Sequence, residues 1–182
     1  MTKIIPEIVN CKIIAKTKVF CIEQMRLRFA NGKQVEYERL LGSPRGAVLI
    51  VPLLDEDTVL LIREYAAGVQ RYELALPKGA VDSGESLLQA ANRELMEEVG
   101  YGARDLQQLK SFTVSPGYLN HVTHVVLAQD LYENRLPGDE PEPIEVVPWK
   151  LHELDRLLNH EECTEARSIA ALFMVRYQFL QR

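Results

Sequence analysis

Three glutamates, Glu94, Glu97 and Glu98, stand within one short stretch, and Arg93 immediately precedes them. On a helix, Glu94 is four residues from Glu98 and three from Glu97, which brings neighbouring Cβ atoms to about 5–6 Å. Like charges at those spacings repel by about 0.2–0.5 kcal/mol per pair. A divalent cation held among them reverses that repulsion, and hard carboxylate oxygens without Cys or His suit Mg²⁺ or Mn²⁺. Arg93 follows Glu85 by eight residues and precedes Glu97 by four, so its guanidinium can bridge both and tie the preceding loop to the helix. In that loop, Pro77-Lys78-Gly79 and Ser83-Gly84 place glycines where backbone can approach an anion closely. The chemistry such a set supports is phosphate handling by a metal: bridging of phosphate oxygens and activation of water. Taken alone, Glu94-Leu95-Met96-Glu97-Glu98 reads as a solvated acidic helix face, so the neighbouring residues have to decide.

The elements that must position this set can be read from the pattern around it. A helix is expected from about Gly84 to Val99, stopped by Gly100 and Gly102, with Leu88, Ala91, Leu95 and Val99 buried as one stripe and the glutamates off it. Ala47–Leu54 and Thr58–Ile62, across Asp55-Glu56-Asp57, read as a buried hairpin. Tyr72–Leu76 is a further strand, and Leu106–Val114 and His121–Leu127 are strands around Ser115-Pro116-Gly117. Leu136–Pro143 is an acidic loop, followed by helices over Leu151–Asn159 and Thr164–Leu180. Upstream, Val19–Phe29 and Val35–Leu41 form a β meander, with Asn31-Gly32 as its hairpin turn. Gly42-Ser43-Pro44 then divides a β appendage, residues 1–44, from a main domain, residues 45–182. Strands on both sides of one internal helix, with helices at the end, indicate an α/β sandwich. Two or three strands alone are marginal in water, so the appendage must pack on the main domain or on a second subunit.

Composition narrows the class. The chain has 182 residues, enough for one domain and a small appendage, and is 47% hydrophobic and 26% charged, near the globular average. Its net charge of −5 disfavours a nucleic acid or an anionic membrane as principal partner. The three cysteines, Cys11, Cys21 and Cys163, are far apart and form no CxxC, so neither a zinc ribbon nor a disulfide framework is indicated. Lysines at positions 3, 12, 16 and 18 break any leader-like apolar run, and no stretch has the length of a membrane helix. The expectation is a soluble cytoplasmic protein.

Gly79, Glu85, Arg93, Glu94, Leu95, Glu97, Glu98 and Gly100 fit the Nudix box, Gx5Ex7REUxEExGU with U aliphatic; Tyr101 departs from it at the last position. The chain therefore resembles the Nudix hydrolases. The resemblance implies an α/β/α sandwich with a mixed sheet and divalent-cation-dependent cleavage of a nucleoside diphosphate linked to a further moiety. It implies Glu94 and Glu98 as main metal ligands, and Glu97 as a further ligand or a base. The backbone carbonyl of Lys78 would join the metal shell, and Glu85 with Arg93 would form a structural pair.

Features outside the box resemble the branch of this family that acts on ADP-ribose and related ADP compounds. These are Pro116, 16 residues after Gly100, the segments around Arg63 and Glu73, and the acidic loop from Asp139 to Glu145. The resemblance implies a general base from that loop, Glu140 or Glu142, and a homodimer built through the N-terminal β segment. Arg39, Arg63, Glu73, Pro116 and Tyr118 are the candidate substrate contacts. Ala66, Lys78 and the acid-free loop after Pro116 depart from the ADP-ribose pattern and favour a broader range of substrates, including NADH and diadenosine triphosphate. Two other readings are a GDP-mannose-type sugar-nucleotide hydrolase and a non-catalytic Nudix-fold nucleotide sensor. The intact glutamates and the lack of a basic arm or helix-turn-helix pattern weigh against the sensor.

Overall fold

The computed structural model describes residues 3–138 and 140–180; Asp139 of the acidic loop and both chain ends lie outside the described residues. The described chain clusters into two units. One runs through Gly46 and also takes in Thr113–Val122; the other comprises Ala47–Phe112 and the chain from Thr123 onward.

The smaller unit is a four-stranded sheet in the order β1-β2-β3-β9. Its strands are β1 (Glu7–Lys16), β2 (Cys21–Arg28), β3 (Gln34–Leu41) and β9 (Leu119–Asn120). β1–β2 and β2–β3 are antiparallel, whereas β9 joins β3 in parallel. The turn at Asn31-Gly32 forms as its residues dictate. Gly32 takes φ of +81° and donates to the Phe29 carbonyl at 2.9 Å, while the Asn31 side chain accepts from the Lys33 N–H at 3.1 Å. Every residue of β1 is exposed, including Ile8, Val9, Ile13 and Ile14, and Met25 is the one buried apolar side chain among the described residues of this unit.

The larger unit holds two sheets. One has the order β7-β4-β10-β8, from β4 (Ala47–Pro52), β7 (Lys78–Ala80), β8 (Tyr101–Thr113) and β10 (Val122–Glu133). The other has the order β11-β5-β6, from β5 (Thr58–Ala66), β6 (Arg71–Ala75) and β11 (Glu145–Lys150). β4 is antiparallel to β7 and parallel to β10, so the first sheet is mixed. The expected hairpin of Ala47–Leu54 with Thr58–Ile62 does not form. β4 and β5 lie in different sheets; Leu53, just past the end of β4, makes an isolated antiparallel bridge to Val59. Both runs are apolar on both faces, and continuous apolar character gives burial without naming the partner strand.

That two-sided burial builds the layers. Leu49 and Val51 of β4 and Val59 and Leu61 of β5 pack with Ala171, Leu172 and Val175 of α3 (Ala166–Leu180), and with Leu154 and Leu157 of α2 (Leu154–Leu158). The alternate residues Val48, Ile50, Leu60 and Ile62 pack with Ala90, Ala91 and Leu95 on the other side. Period-two alternation thus gives each sheet residue to one of two helical layers, and the domain is the expected α/β/α sandwich.

The helix that carries the glutamates is shorter and more irregular than its pattern predicts. α1 spans Leu87–Glu94, capped by Ser86, whose hydroxyl accepts from the Gln89 N–H while the Gln89 side chain accepts from the Ser86 N–H. Leu95–Val99 then forms one π-helical turn, closed by an i→i+5 bond from the Gly100 N–H to the Leu95 carbonyl at 3.1 Å. Gly100, at φ +85°, ends it in the left-handed region. Leu88 is 38% exposed and leaves the expected stripe; Ala90 is buried in its place. Glu94 and Glu98, expected off that stripe, are buried, and the wider turn that begins at Leu95 sets Glu98 inward beside Val99.

Candidate active site

One cleft of the sandwich domain, about 680 Å³ in volume, gathers Gly79, Arg93 and the three glutamates of the box. It is lined by the carboxylates Glu64, Asp82, Glu94, Glu97, Glu98 and Glu140, with Lys78 and Arg93 as cations and Gly79, Gly138 and Pro141 along its walls. Gly79 faces Glu94 so closely that a Cβ there would overlap its carboxylate; glycine is what lets β7 approach α1.

Arg93 organises the rim. Its Nε donates to Glu85 at 2.8 Å, Nη1 to Glu94 at 2.7 Å and Glu97 at 3.0 Å, and Nη2 to the Ala80 carbonyl at 3.0 Å and Glu85 at 3.1 Å. The pairing holds the Glu85 carboxyl below the usual carboxylate range and raises the guanidinium in turn. The predicted tie between loop and helix is thus present, with Glu94 drawn into it. The end of the π-helical turn is held by Arg135, whose Nη2 donates to the Val99 carbonyl at 3.1 Å, a cation on orphan carbonyls.

Glu98 sits deepest, 4% exposed, and its Oε2 accepts from the Lys78 N–H at 2.9 Å. Burial pushes its carboxyl up to about 8 against the pull of the Lys78 charge and N–H, and the nearby Glu64 and Glu94 add to the rise. Burial also raises Glu94, opposed by Arg93 and reinforced by Glu97 and Glu140. A buried carboxylate is costly unless a cation compensates it.

Among the described residues no three His, Cys, Asp or Glu side chains converge into a ready metal cluster. Arg93 and the Lys78 N–H hold these carboxylates instead. The donor set nonetheless fits a hard divalent ion. It is all oxygen, two of its carboxylates are buried with raised affinity for a proton, and reorienting side chains within one cleft would bring them onto an ion.

Glu140 lines this cleft, but Glu142 does not: it is exposed and accepts from the Tyr72 hydroxyl at 2.7 Å. Arg63 and Glu73 do not line it either. Arg63 is engaged with Glu145 at 2.6 Å and Glu162 at 2.9 Å. Glu73 is buried, and both its oxygens are taken by Arg71 and Thr164. Arg39, Pro116 and Tyr118 come together in a separate pocket of the smaller unit, about 370 Å³, with Met25, Tyr37 and Asn120; there Arg39 pairs with Glu23 at 2.7 Å. Sequence reasoning did not single out Glu64, whose Oε2 accepts from Lys78 Nζ at 2.7 Å in the cleft, or Arg135.

The chain matches the NUDIX domain over residues 43–173 and the N-terminal domain of NudE-type Nudix hydrolases over residues 6–39. It is 47% identical to the ADP compounds hydrolase NudE of Escherichia coli (strain K12), covering 94% of this chain and 91% of that protein. It is 31% identical to an ADP-ribose pyrophosphatase of Bacillus subtilis (strain 168), covering 93% and 92%. A crystal structure of an ADP compounds hydrolase superposes with a TM-score of 0.92 at 44% identity, over 100% of this chain and 97% of that one. With Gly79, Arg93 and the three box glutamates lining one cleft of an α/β/α sandwich, the chain belongs to the Nudix hydrolase family.

Proposed function

We propose that this protein is a Mg²⁺-dependent pyrophosphohydrolase, able to use Mn²⁺, that cleaves ADP-linked compounds such as ADP-ribose, NADH and diadenosine triphosphate and releases AMP. The observation that carries the reading is the buried Glu94–Glu98 pair, joined by Glu97 and Glu140 in one cleft rich in carboxylates. The substrate class is supported by similarity to an ADP compounds hydrolase and an ADP-ribose pyrophosphatase over nearly the whole chain.

Glu94, Glu98 and Glu97 would hold the metal together with the Lys78 carbonyl. When bound, it supplies charge neutralisation at the diphosphate and acidifies water. Arg93 fixes the Glu85 loop and keeps Glu94 and Glu97 at the rim of the cleft, within reach of an ion they would turn to hold. Glu140, in the cleft, takes the proton from the attacking water; Glu142, hydrogen-bonded to Tyr72, is the lesser candidate. Arg39, Pro116 and Tyr118 are the substrate contacts that their shared pocket supports best.

The protein acts as a homodimer. The support is β1, an edge strand with Ile8, Val9, Ile13 and Ile14 exposed, in a sheet with too little buried apolar surface to stand alone. A second copy is the occupant that covers it. Cytoplasmic location accords with three cysteines that are all free and with the lack, among the described residues, of any helix long and apolar enough to cross a membrane.

The test is a hydrolysis panel of ADP-ribose, NADH, diadenosine triphosphate and GDP-mannose with Mg²⁺ and with Mn²⁺, read by chromatography of AMP or GMP. AMP from several adenylated substrates is the expected result. Turnover of GDP-mannose alone would overturn the substrate class, and tight binding of ADP-ribose without cleavage would favour a sensor.

A further inference from the structure

The cleft carries more acidic than basic side chains. Six carboxylate residues face two cations, Lys78 and Arg93, and the substrate proposed above brings further negative charge on its diphosphate. Arg93 is anchored in place: Nε and Nη2 are spent on Glu85 and the Ala80 carbonyl, and Nη1 on Glu94 and Glu97, so even if those two turn to a metal the guanidinium stays tied to the loop. Lys78 differs. Its ammonium has three donors, and its contact in the cleft is with Glu64 at 2.7 Å. Glu64 is itself 39% exposed at the side chain, so this ion pair is solvent-screened and exchangeable. The backbone of Lys78 is fixed independently, by pairing of β7 with β4 and by its N–H on Glu98, so the side chain can move without disturbing the strand.

We propose that the Lys78 ammonium is a substrate-binding group of this enzyme, released from Glu64 to pair with a non-bridging oxygen of the incoming diphosphate. Glu64 is its resting partner and competes with the substrate for it. A lysine suits the task because a compact ammonium on a four-carbon stem can swing between partners, whereas the Arg93 guanidinium is tethered by Glu85 and the Ala80 carbonyl. The inference rests on the reading of the cleft as a diphosphate site, and it adds a contact made by a side chain whose backbone carbonyl has a separate role.

The test uses imidodiphosphate, whose P–N–P bridge resists cleavage, titrated into the Mg²⁺-loaded protein by calorimetry beside ADP-ribose kinetics. Lys78→Met keeps the apolar stem and removes the charge. It should lose about 10- to 100-fold in imidodiphosphate affinity and in kcat/KM, the range of a hydrogen bond to a charged group, with Mn²⁺ binding retained. Lys78→Arg should restore part of the loss. Glu64→Gln separates binding from a structural clasp: freeing the ammonium should leave imidodiphosphate affinity equal to or above wild type. Unchanged imidodiphosphate affinity in Lys78→Met, or an equal loss in Glu64→Gln, would overturn the proposal. The binding arm also keeps the two readings apart. Weakened imidodiphosphate binding in Lys78→Met supports the lysine's role even if no ADP compound is cleaved, and unchanged binding refutes it even with turnover intact.

Discussion

At the scale of single residues, the two acids of the Pro-rich loop are set apart by where they sit. Glu140 lines the carboxylate cleft, while Glu142 points to the Tyr72 hydroxyl on β6. Glu140→Gln should therefore lower kcat by about 100-fold or more, the usual range for loss of a general base, with KM little changed. Glu142→Gln should cost far less. Saturation kinetics with ADP-ribose distinguish the two, and the reverse ranking would move the base to Glu142. The box residues were legible through their match to the Nudix pattern, whose members Gly79, Glu85, Arg93 and the three glutamates lie within one loop and helix. Glu64 and Arg135 were not, because their partners are 14 to 36 residues away and only the folded chain brings them together. Arg63 and Glu73 share that difficulty in the other sense. Each matched a motif, yet each is engaged by a distant residue, Glu162 or Thr164, that no spacing rule connects to it.

At the scale of elements, periodicity gave the long apolar strands and the helices more faithfully than their partners, and it missed β1, β9, β11 and the short β7, which was read as loop. The Ser86 cap and the Gly100 stop on α1 carry clear local chemistry. The π-helical turn at Leu95–Val99 does not, since no residue type demands it, and so the burial of Glu98 was missed. β4 and β5 illustrate the same limit, because two apolar strands joined by a tight turn are equally compatible with one sheet or two. The start of α3 offers a stability test. Glu165 accepts from the Ser168 N–H at 2.8 Å and from the Ser168 hydroxyl, which in turn accepts from the Leu76 N–H at 3.0 Å. Burial alone would raise the Glu165 carboxyl, but its bonds to Arg167 and Ser168 hold it below its ordinary value. A carboxyl depressed in the folded state contributes stability that is present above about pH 4.5 and is lost as pH falls through its folded value. Glu165→Gln should thus lower stability by about 1 kcal/mol at pH 7, and the gap should be smaller at pH 3. Thermal melts at both values check this; a gap of equal size at pH 3 would show that charge plays no part.

At the scale of the whole molecule, the sandwich domain buries a two-sided core, whereas the small sheet leaves β1 bare. Ile13→Lys should turn a dimer into a monomer by light scattering on a sizing column at micromolar concentration. A wild-type monomer under the same conditions would contradict the dimer. The most direct test of the central claim is AMP release from ADP-ribose by EDTA-treated protein as Mg²⁺ is titrated back, with Glu98→Gln beside it. Glutamine keeps an oxygen for the Lys78 N–H, so the variant should melt no lower than wild type. The expected result is no release without metal, a saturable rise with Mg²⁺, and a rate at least about 100-fold lower in the variant. Release of AMP without a divalent ion, or a Glu98→Gln variant at the wild-type rate, would contradict the claim that this cleft is a metal-dependent pyrophosphohydrolase.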